Sequence, residues 1–211
     1  MTNLKNYWDT QFSKHSHIWG ETPSKSAGLA LSLFRKHKVN KILVPGSGYG
    51  RNSKLFSTAG LDVTGIEISD EAYTLAQEYD PATKVYNGSF LDDDIVQGQY
   101  EGIYCFNVLQ LFLKADRIRF IDKCTQVLTP NGFMFFTAIS EQDEYYGQGK
   151  EIEENTFAVK PDKTLHFFTA DDLREHFAGF SILEMGGLDD QVIHNLYGLK
   201  TYQIRYIFVS N

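Results

Sequence analysis

Leu43-Val44-Pro45-Gly46-Ser47-Gly48-Tyr49-Gly50-Arg51-Asn52 joins a short apolar run to three glycines at alternate positions and a cation at the start of an amphipathic stretch. Glu67 ends a second such run, Asp62-Val63-Thr64-Gly65-Ile66-Glu67. Glycines at a strand-to-helix turn let the backbone approach a ligand closely and leave N–H groups aimed at its anionic atoms. A carboxylate ending the second strand, about 20 residues past the first glycine, suits the paired hydroxyls of a ribose. Together these residues have the chemistry to bind a nucleoside-containing cofactor. Gly46, Gly48 and Gly50 read G-x-G-x-G, followed by Arg51. Dinucleotide binders favour G-x-G-x-x-G, whose last glycine permits close helix packing.

The elements that must position these groups alternate in type. Helical patterns cover 4–13 and 24–38, the second with Leu29, Leu33 and Phe34 on one stripe. Strand Lys41–Pro45, helix 51–59, strand Asp62–Glu67 and helix Asp70–Tyr79 with Ser69 as its cap follow. Next come a short strand at 84–86, an apolar strand at 102–106 and a helix at 116–128 bearing Ile118, Ile121, Thr125 and Leu128. Thr129-Pro130-Asn131-Gly132 stops that helix, and 133–139 is a fifth strand. This alternation implies a parallel sheet with helices on both faces. The rhythm then changes: 141–164 is polar and acidic, followed by a helix at 170–177 and strands at 180–185 and 202–209, read as an antiparallel hairpin.

At 211 residues the chain is most economically one domain. Within it, 1–40 reads as a helical arm, 41–139 as a cofactor-binding core, 140–168 as a substrate-side segment and 169–211 as a closing helix and hairpin. An apolar content of 42% with 22% charged residues is that of a globular protein in water. A net charge of -7 argues against a nucleic-acid groove, and the cluster Arg35-Lys36-His37-Lys38 suits a helix end. Cys105 and Cys124 belong to no paired motif and read as buried thiols, with no metal site expected. With no leader-like h-region and no membrane-length apolar stretch, a cytoplasmic enzyme is expected. The oligomeric state is not legible.

The motifs at 43–51, 63–69, 87–91, 104–111 and 128–136, the last reading L-T-P-N-G-F-M-F-F, resemble those of class I S-adenosylmethionine-dependent methyltransferases. More narrowly, Tyr7-Trp8-Asp9 and Trp19-Gly20-Glu21-Thr22-Pro23-Ser24 ahead of L-V-P-G-S-G-Y-G are similar to the small-molecule branch, with its tellurite-resistance, thiopurine and thiol or halide methyltransferases. The resemblance implies an α/β, Rossmann-like three-layer sandwich. Its seven-stranded, mostly parallel sheet would have order 3-2-1-4-5-7-6, with the last strand antiparallel. It implies S-adenosylmethionine as cofactor and a small-molecule acceptor as partner. Gly46, Gly48 and Gly50 would shape the loop under the methionine part, Glu67 would accept from both ribose hydroxyls, and Ile68 and Phe90 would sandwich the adenine. Ser89 stands where many members carry an acid, yet its hydroxyl still accepts a bond from the adenine amino group. Asn107 either faces the donor's amino-acid end or serves a turn. Arg51 either pairs with the cofactor carboxylate or lies on its helix surface.

Methyl transfer from a sulfonium needs alignment and exclusion of water more than acid–base help. A thiolate, halide or similar soft acceptor needs no base; an amine or hydroxyl must lose its proton. No D/N-P-P-Y segment follows the strand at 102–106, where Asn107-Val108-Leu109-Gln110 stands, which tilts away from amino-group methylation. His166 is either a base or a structural histidine. Trp19, Tyr145 and Tyr146 are candidates for the acceptor side, and Trp8 and Trp19 belong to an arm that either closes as a lid or packs on the core. Carboxylates at 141, 143, 144, 151, 153 and 154 either favour a cationic acceptor or form a solvated face. Two other readings stand beside the enzyme: a non-catalytic cofactor-binding protein, and an NAD(P)-dependent dehydrogenase using Tyr146-x-x-x-Lys150. The second needs a helix that Gly147 and Gly149 oppose.

Overall fold

The computed structural model describes residues 2–194 and 198–211. Its elements are α1 (Thr2–His15), α2 (Lys25–Lys36), β1 (Lys41–Pro45), α3 (Ser53–Thr58), β2 (Asp62–Glu67), α4 (Asp70–Tyr79), β3 (Lys84–Asn87) and β4 (Tyr100–Phe106). A 3₁₀ turn (Leu109–Leu111), α5 (Lys114–Val127), β5 (Leu128–Ile139), β6 (Lys150–Glu153), β7 (Thr156–Lys160) and β8 (Lys163–His166) follow. The chain closes with α6 (Ala170–His176), β9 (Ser181–His194) and β10 (Gly198–Ser210). The large sheet has order β3-β2-β1-β4-β5-β10-β9. The strands from β3 to β5 pair in parallel, and β10 is antiparallel to both β5 and β9. Counting the strands of this sheet alone, that is the expected order 3-2-1-4-5-7-6.

Alternation along each strand explains the layers. Leu43, Ile103, Cys105, Met134, Phe136 and Ile207 point to one face and pack with Phe120 of α5 and Phe177 beyond α6. Their neighbours Ile42, Val44, Tyr104, Phe135 and Phe208 point to the other face, where Ala30 and Phe34 of α2 and Phe56 of α3 cover them. Each fully buried Phe or Leu contributes roughly 1.5–3 kcal/mol of apolar transfer free energy. Helix starts are capped: Ser24 Oγ accepts from Ala27 N–H at 3.1 Å and Ser69 Oγ from Ala72 N–H at 3.2 Å. Both cysteines are buried and free. Among the described residues no helix is long and apolar enough to cross a membrane.

The structure departs from the sequence reading in four places. Helix α5 buries Arg117, Phe120, Ile121, Lys123 and Cys124, while Ile118 is 48% exposed. The face is rotated because Arg117 and Lys123 find carbonyl partners, Phe112 and Asp92, in the fold. Thr129–Gly132 lies within β5 as an irregularity, where pairing with β4 jumps from Tyr100–Leu128 to Gly102–Phe133; Asn131 takes the left-handed φ of +61° that asparagine tolerates. The polar segment at 141–164 contains the antiparallel sheet β6-β7-β8 with β8 running to His166, and Phe157, Leu165, Phe167 and Ile139 form a satellite core beneath it. Strands β9 and β10 run further than expected, paired out to His194 and Gly198.

Candidate active site

The carboxyl ends of β1, β2 and β4, where ligands of open α/β sheets bind, open into a cleft of about 640 Å³. That lies within the roughly 300–1,000 Å³ of small-molecule sites. The glycine loop forms its floor. Gly46 and Ser47 N–H both donate to the Ile66 carbonyl, at 2.8 and 3.0 Å, which ties the loop to β2. Gly46 has φ +68°, and a β-carbon there would sit 2.3 Å from Val108 Cγ2. Gly48, at φ +59°, has open space instead, its nearest neighbour being Phe12 Cζ at 3.9 Å. Gly50, at φ +93°, closes a turn onto the Ser47 carbonyl and does not line the cleft.

Glu67 faces this floor from the end of β2 and is 5% exposed. Its Oε2 accepts from Gly48 N–H and its Oε1 from Ser69 N–H, each at 2.8 Å. Burial pushes its pKa up to about 6, partly opposed by those backbone N–H groups. Ile68, Ser89 and Phe90 line the same cleft. Phe90 is held edge-on to Phe120 at 4.7 Å, and Ser89 Oγ accepts from Leu91 N–H at 3.1 Å. Asn107 lines the cleft in the left-handed conformation, φ +54°, with its Oδ1 accepting from Thr137 Oγ1 at 2.9 Å. Arg51 is buried, donates to the Thr22 carbonyl at 3.2 Å and lies 5.5 Å from the Phe106 ring centre. It borders the cleft and is not a helix-surface residue.

The N-terminal arm is one wall of the cleft. Trp8, Phe12, Trp19 and Tyr49 pack as an aromatic cluster with ring centres 5.6–6.4 Å apart. Tyr49 Oη donates to the Gly20 carbonyl at 2.5 Å, while Asp9 Oδ1 accepts from Ser69 Oγ at 2.7 Å and from Asp70 N–H at 2.8 Å. His17 packs at a tilt against the rings of Tyr49 and Tyr79.

The opposite wall comes from the small sheet and the β9–β10 hairpin. Tyr145 lines it, whereas Tyr146 points away: it is 43% exposed, packs on Phe157 and Phe167, and donates to Asn155 Oδ1 at 2.8 Å. His166 does not line the cleft either. It is buried, with Nδ1 2.8 Å from Thr156 Oγ1 and Nε2 on the Asp172 carboxylate. Asp172 also bonds His176, which accepts from Arg117 Nε at 3.1 Å. Burial pushes the His166 pKa down against the pull of Asp172. Burial also pushes the Asp172 carboxyl up, but hydrogen bonds from both histidines outweigh it and hold it well below the usual carboxylate range. This network fastens β8 to α6. Tyr146 and Lys150 share no helix, since β6 begins at Lys150.

Two groups on the cleft wall escaped the sequence reading. Asp190 on β9 is 1% exposed, with Oδ1 accepting from Lys25 N–H at 3.1 Å and Oδ2 without a partner. Lys163 on β8 lies over the rings of Tyr7 and Trp8. Neither belongs to a local motif, and Asp190 meets Lys25 across 165 residues of chain.

Residues 43–136 match the family described as "Methyltransferase domain". A ubiquinone biosynthesis O-methyltransferase of Aromatoleum aromaticum is 25% identical over 157 residues, covering 64% of this chain and 63% of that relative, so the chain spans less than two thirds of its length. Among solved structures, magnesium protoporphyrin IX methyltransferase from Synechocystis, with bound SAH, superposes with a TM-score of 0.74 at 15% identity, covering 100% of this chain and 98% of that one. TehB from Haemophilus influenzae superposes with a TM-score of 0.65 at 15% identity, covering 87% and 62%. Residues 43–136 thus match a methyltransferase-domain family, and the chain shares the fold of the methyltransferase structures on which it superposes.

Proposed function

We propose that this chain transfers a methyl group from S-adenosylmethionine to a small-molecule acceptor in the cleft. The observation that carries the reading is the buried Glu67 carboxylate, held by Gly48 and Ser69 N–H and sharing one cleft with the glycine loop and Phe90. The residues present fit the cofactor. Glu67 retains acceptor lone pairs for two ribose hydroxyls, Ile68 and Phe90 offer apolar walls to an adenine, and Ser89 offers it a hydroxyl. Arg51 and Asn107 border the space left for a methionine tail. When bound, S-adenosylmethionine supplies a methyl group on a sulfonium, already activated for in-line displacement. The chain's own work is to hold the acceptor in line and keep water out, and well-oriented reactants gain effective molarities of about 10⁵–10⁸ M. Trp19 and Tyr145 border the acceptor side of that enclosure.

His166 is committed to Asp172 and Thr156 behind the cleft wall. That placement favours acceptors that ionise without a protein base, such as thiols and other soft nucleophiles or acidic hydroxyls. Calorimetry with S-adenosylmethionine and its demethylated product, then transfer of labelled methyl to thiols, selenite, tellurite, halides, phenols and amines, tests the proposal. Saturable binding of both cofactor forms and turnover of at least one acceptor are expected. Stronger binding of NAD or NADP would establish the dehydrogenase reading instead; binding without any transfer would leave a non-catalytic cofactor-binding protein.

A further inference from the structure

The cleft is lined by charges of both signs. Glu67 faces it from β2 and the unpartnered Asp190 Oδ2 from β9, while Lys160 and Lys163 line it from β7 and β8 and Lys200 from β10. Five of the six acidic residues in the segment at 141–154, which either favour a cationic acceptor or form a solvated face, are engaged by groups of this chain. Glu141 pairs with Arg205, Glu144 with Lys200, and Glu153 with Arg117 and Lys114 N–H. Glu151 accepts from Asn155 N–H, and Asp143 from Tyr145 and Gln203 N–H.

Lys163 differs from the other two lysines. Lys160 is exposed, and Lys200 has Glu144 at 3.7 Å. The Lys163 ammonium lies 5.5 Å from the Tyr7 ring centre and 5.6 Å from that of Trp8, and among the described residues no carboxylate pairs with it. Burial, with a smaller push from Lys160, lowers its pKa to about 8. Two aromatic faces compensate a desolvated ammonium only in part. Leu4 of α1, Val159 of β7 and Leu165 of β8 also line the cleft. An anion placed there restores the missing partner in a low-dielectric setting where a charge-assisted bond is strong.

We propose that Lys163 anchors a carboxylate on an otherwise apolar methyl acceptor, so that the substrates of this cleft are apolar organic anions. The inference rests on the methyltransferase reading above and names the acceptor class for the same site. It also suits the electrostatics of the transfer, since an anionic acceptor approaches a cationic sulfonium. Lys160 and Lys163 together give such an acceptor a local field that a chain of net charge -7 otherwise opposes.

The test is calorimetry on the full chain saturated with S-adenosylhomocysteine, using 2-naphthoate and 2-naphthamide, which share a shape and differ in charge. The acid is expected to bind saturably and at least about tenfold more tightly than the amide, the least that one hydrogen bond to a charged group provides. Lys163→Met should abolish that preference and Lys163→Arg should keep most of it, with affinity for S-adenosylhomocysteine unchanged in both. Equal binding of acid and amide, no binding of the acid, or an undiminished preference in Lys163→Met would overturn the proposal alone. Failure of the unaltered protein to bind S-adenosylhomocysteine would overturn the underlying reading, and this inference with it.

Discussion

On the β1–β2 side of the cleft, charge and hydrogen-bond donors are fixed by the strands themselves; on the β7–β8 side, charge sits at the end of long side chains. The Glu67 carboxylate cannot turn without losing Gly48 and Ser69 N–H. Among the described residues, the Lys163 ammonium is held by the ring faces of Tyr7 and Trp8 and pairs with no carboxylate. A preorganised backbone site suits a ligand that is the same in every turnover, because no reorganisation is needed when it arrives. A flexible cation against an apolar wall suits ligands that share a charge and differ in shape. On the proposals above, the two ligands of one reaction would be selected by different physics.

Substitutions separate the two sides, and the largest effect belongs to the loop. Gly46→Ala puts a β-carbon 2.3 Å from Val108 Cγ2 at φ +68°. It is expected to cost about 2–5 kcal/mol from left-handed strain and overpacking. Denaturant midpoints would show this, together with loss of the cofactor-induced shift. Gly48→Ala, with nothing nearer than 3.9 Å, should pay only the conformational term, about 1–2 kcal/mol. If the two variants were equally stable, the tight contact with Val108 would carry no energy.

Glu67→Ala comes next. On the proposed function it would remove two charge-assisted hydrogen bonds to the ribose, each worth about 1.5–3 kcal/mol before solvent compensation. An unchanged dissociation constant for S-adenosylmethionine in calorimetry would break the cofactor side of the comparison. The pH dependence sharpens it. Because burial raises the folded pKa of Glu67 to about 6, its protonated form stabilises the ligand-free fold. That contribution is complete below the unfolded carboxylate pKa and lost as pH rises through 6. Ribose binding needs the ionised form, so cofactor-induced stabilisation should run the other way, full above pH 7 and fading below about 6. Melting curves with and without S-adenosylhomocysteine from pH 5 to 8 would reveal both slopes.

His166→Ala should give the smallest effect at the cofactor site. Loss of the bonds to Asp172 and Thr156 is expected to lower stability by about 1–3 kcal/mol and leave cofactor affinity as it was. An affinity loss as large as that of Glu67→Ala would tie this histidine to the cofactor after all.

How far the sequence carries differs between the same two regions. Strands β1 and β2 and helix α4 match their sequence bounds because buried parallel strands read as unbroken apolar runs and Ser69 marks a helix start. The place of Glu67 in the cleft follows from its position at the end of the second apolar run, about 20 residues past Gly46. The β6–β8 sheet does not, because its strands of four or five residues carry charges that hide the alternation, as in Lys150-Glu151-Ile152-Glu153. The buried face of α5 was hidden for a related reason. Arg117 and Lys123 look like surface residues until Phe112 and Asp92 carbonyls are brought to them. His166 and Tyr146 show the same limit: their roles depend on Asp172, Phe157 and Phe167, which no spacing rule places beside them.

The fastening of β8 to α6 through His166, Asp172 and His176 has a consequence for how such a protein diversifies. The anchor lies behind the hairpin, and the cleft sees a different set of side chains: Val159, Lys160, Lys163 and Leu165. Leu165 also belongs to the satellite core and Val159 packs against it, so the positions free to vary are Lys160 and Lys163, which are part of neither the mount nor the glycine loop. On the proposed function, a lineage or a laboratory library confined to those two positions would trade one acceptor for another while its methyl donor stays constant.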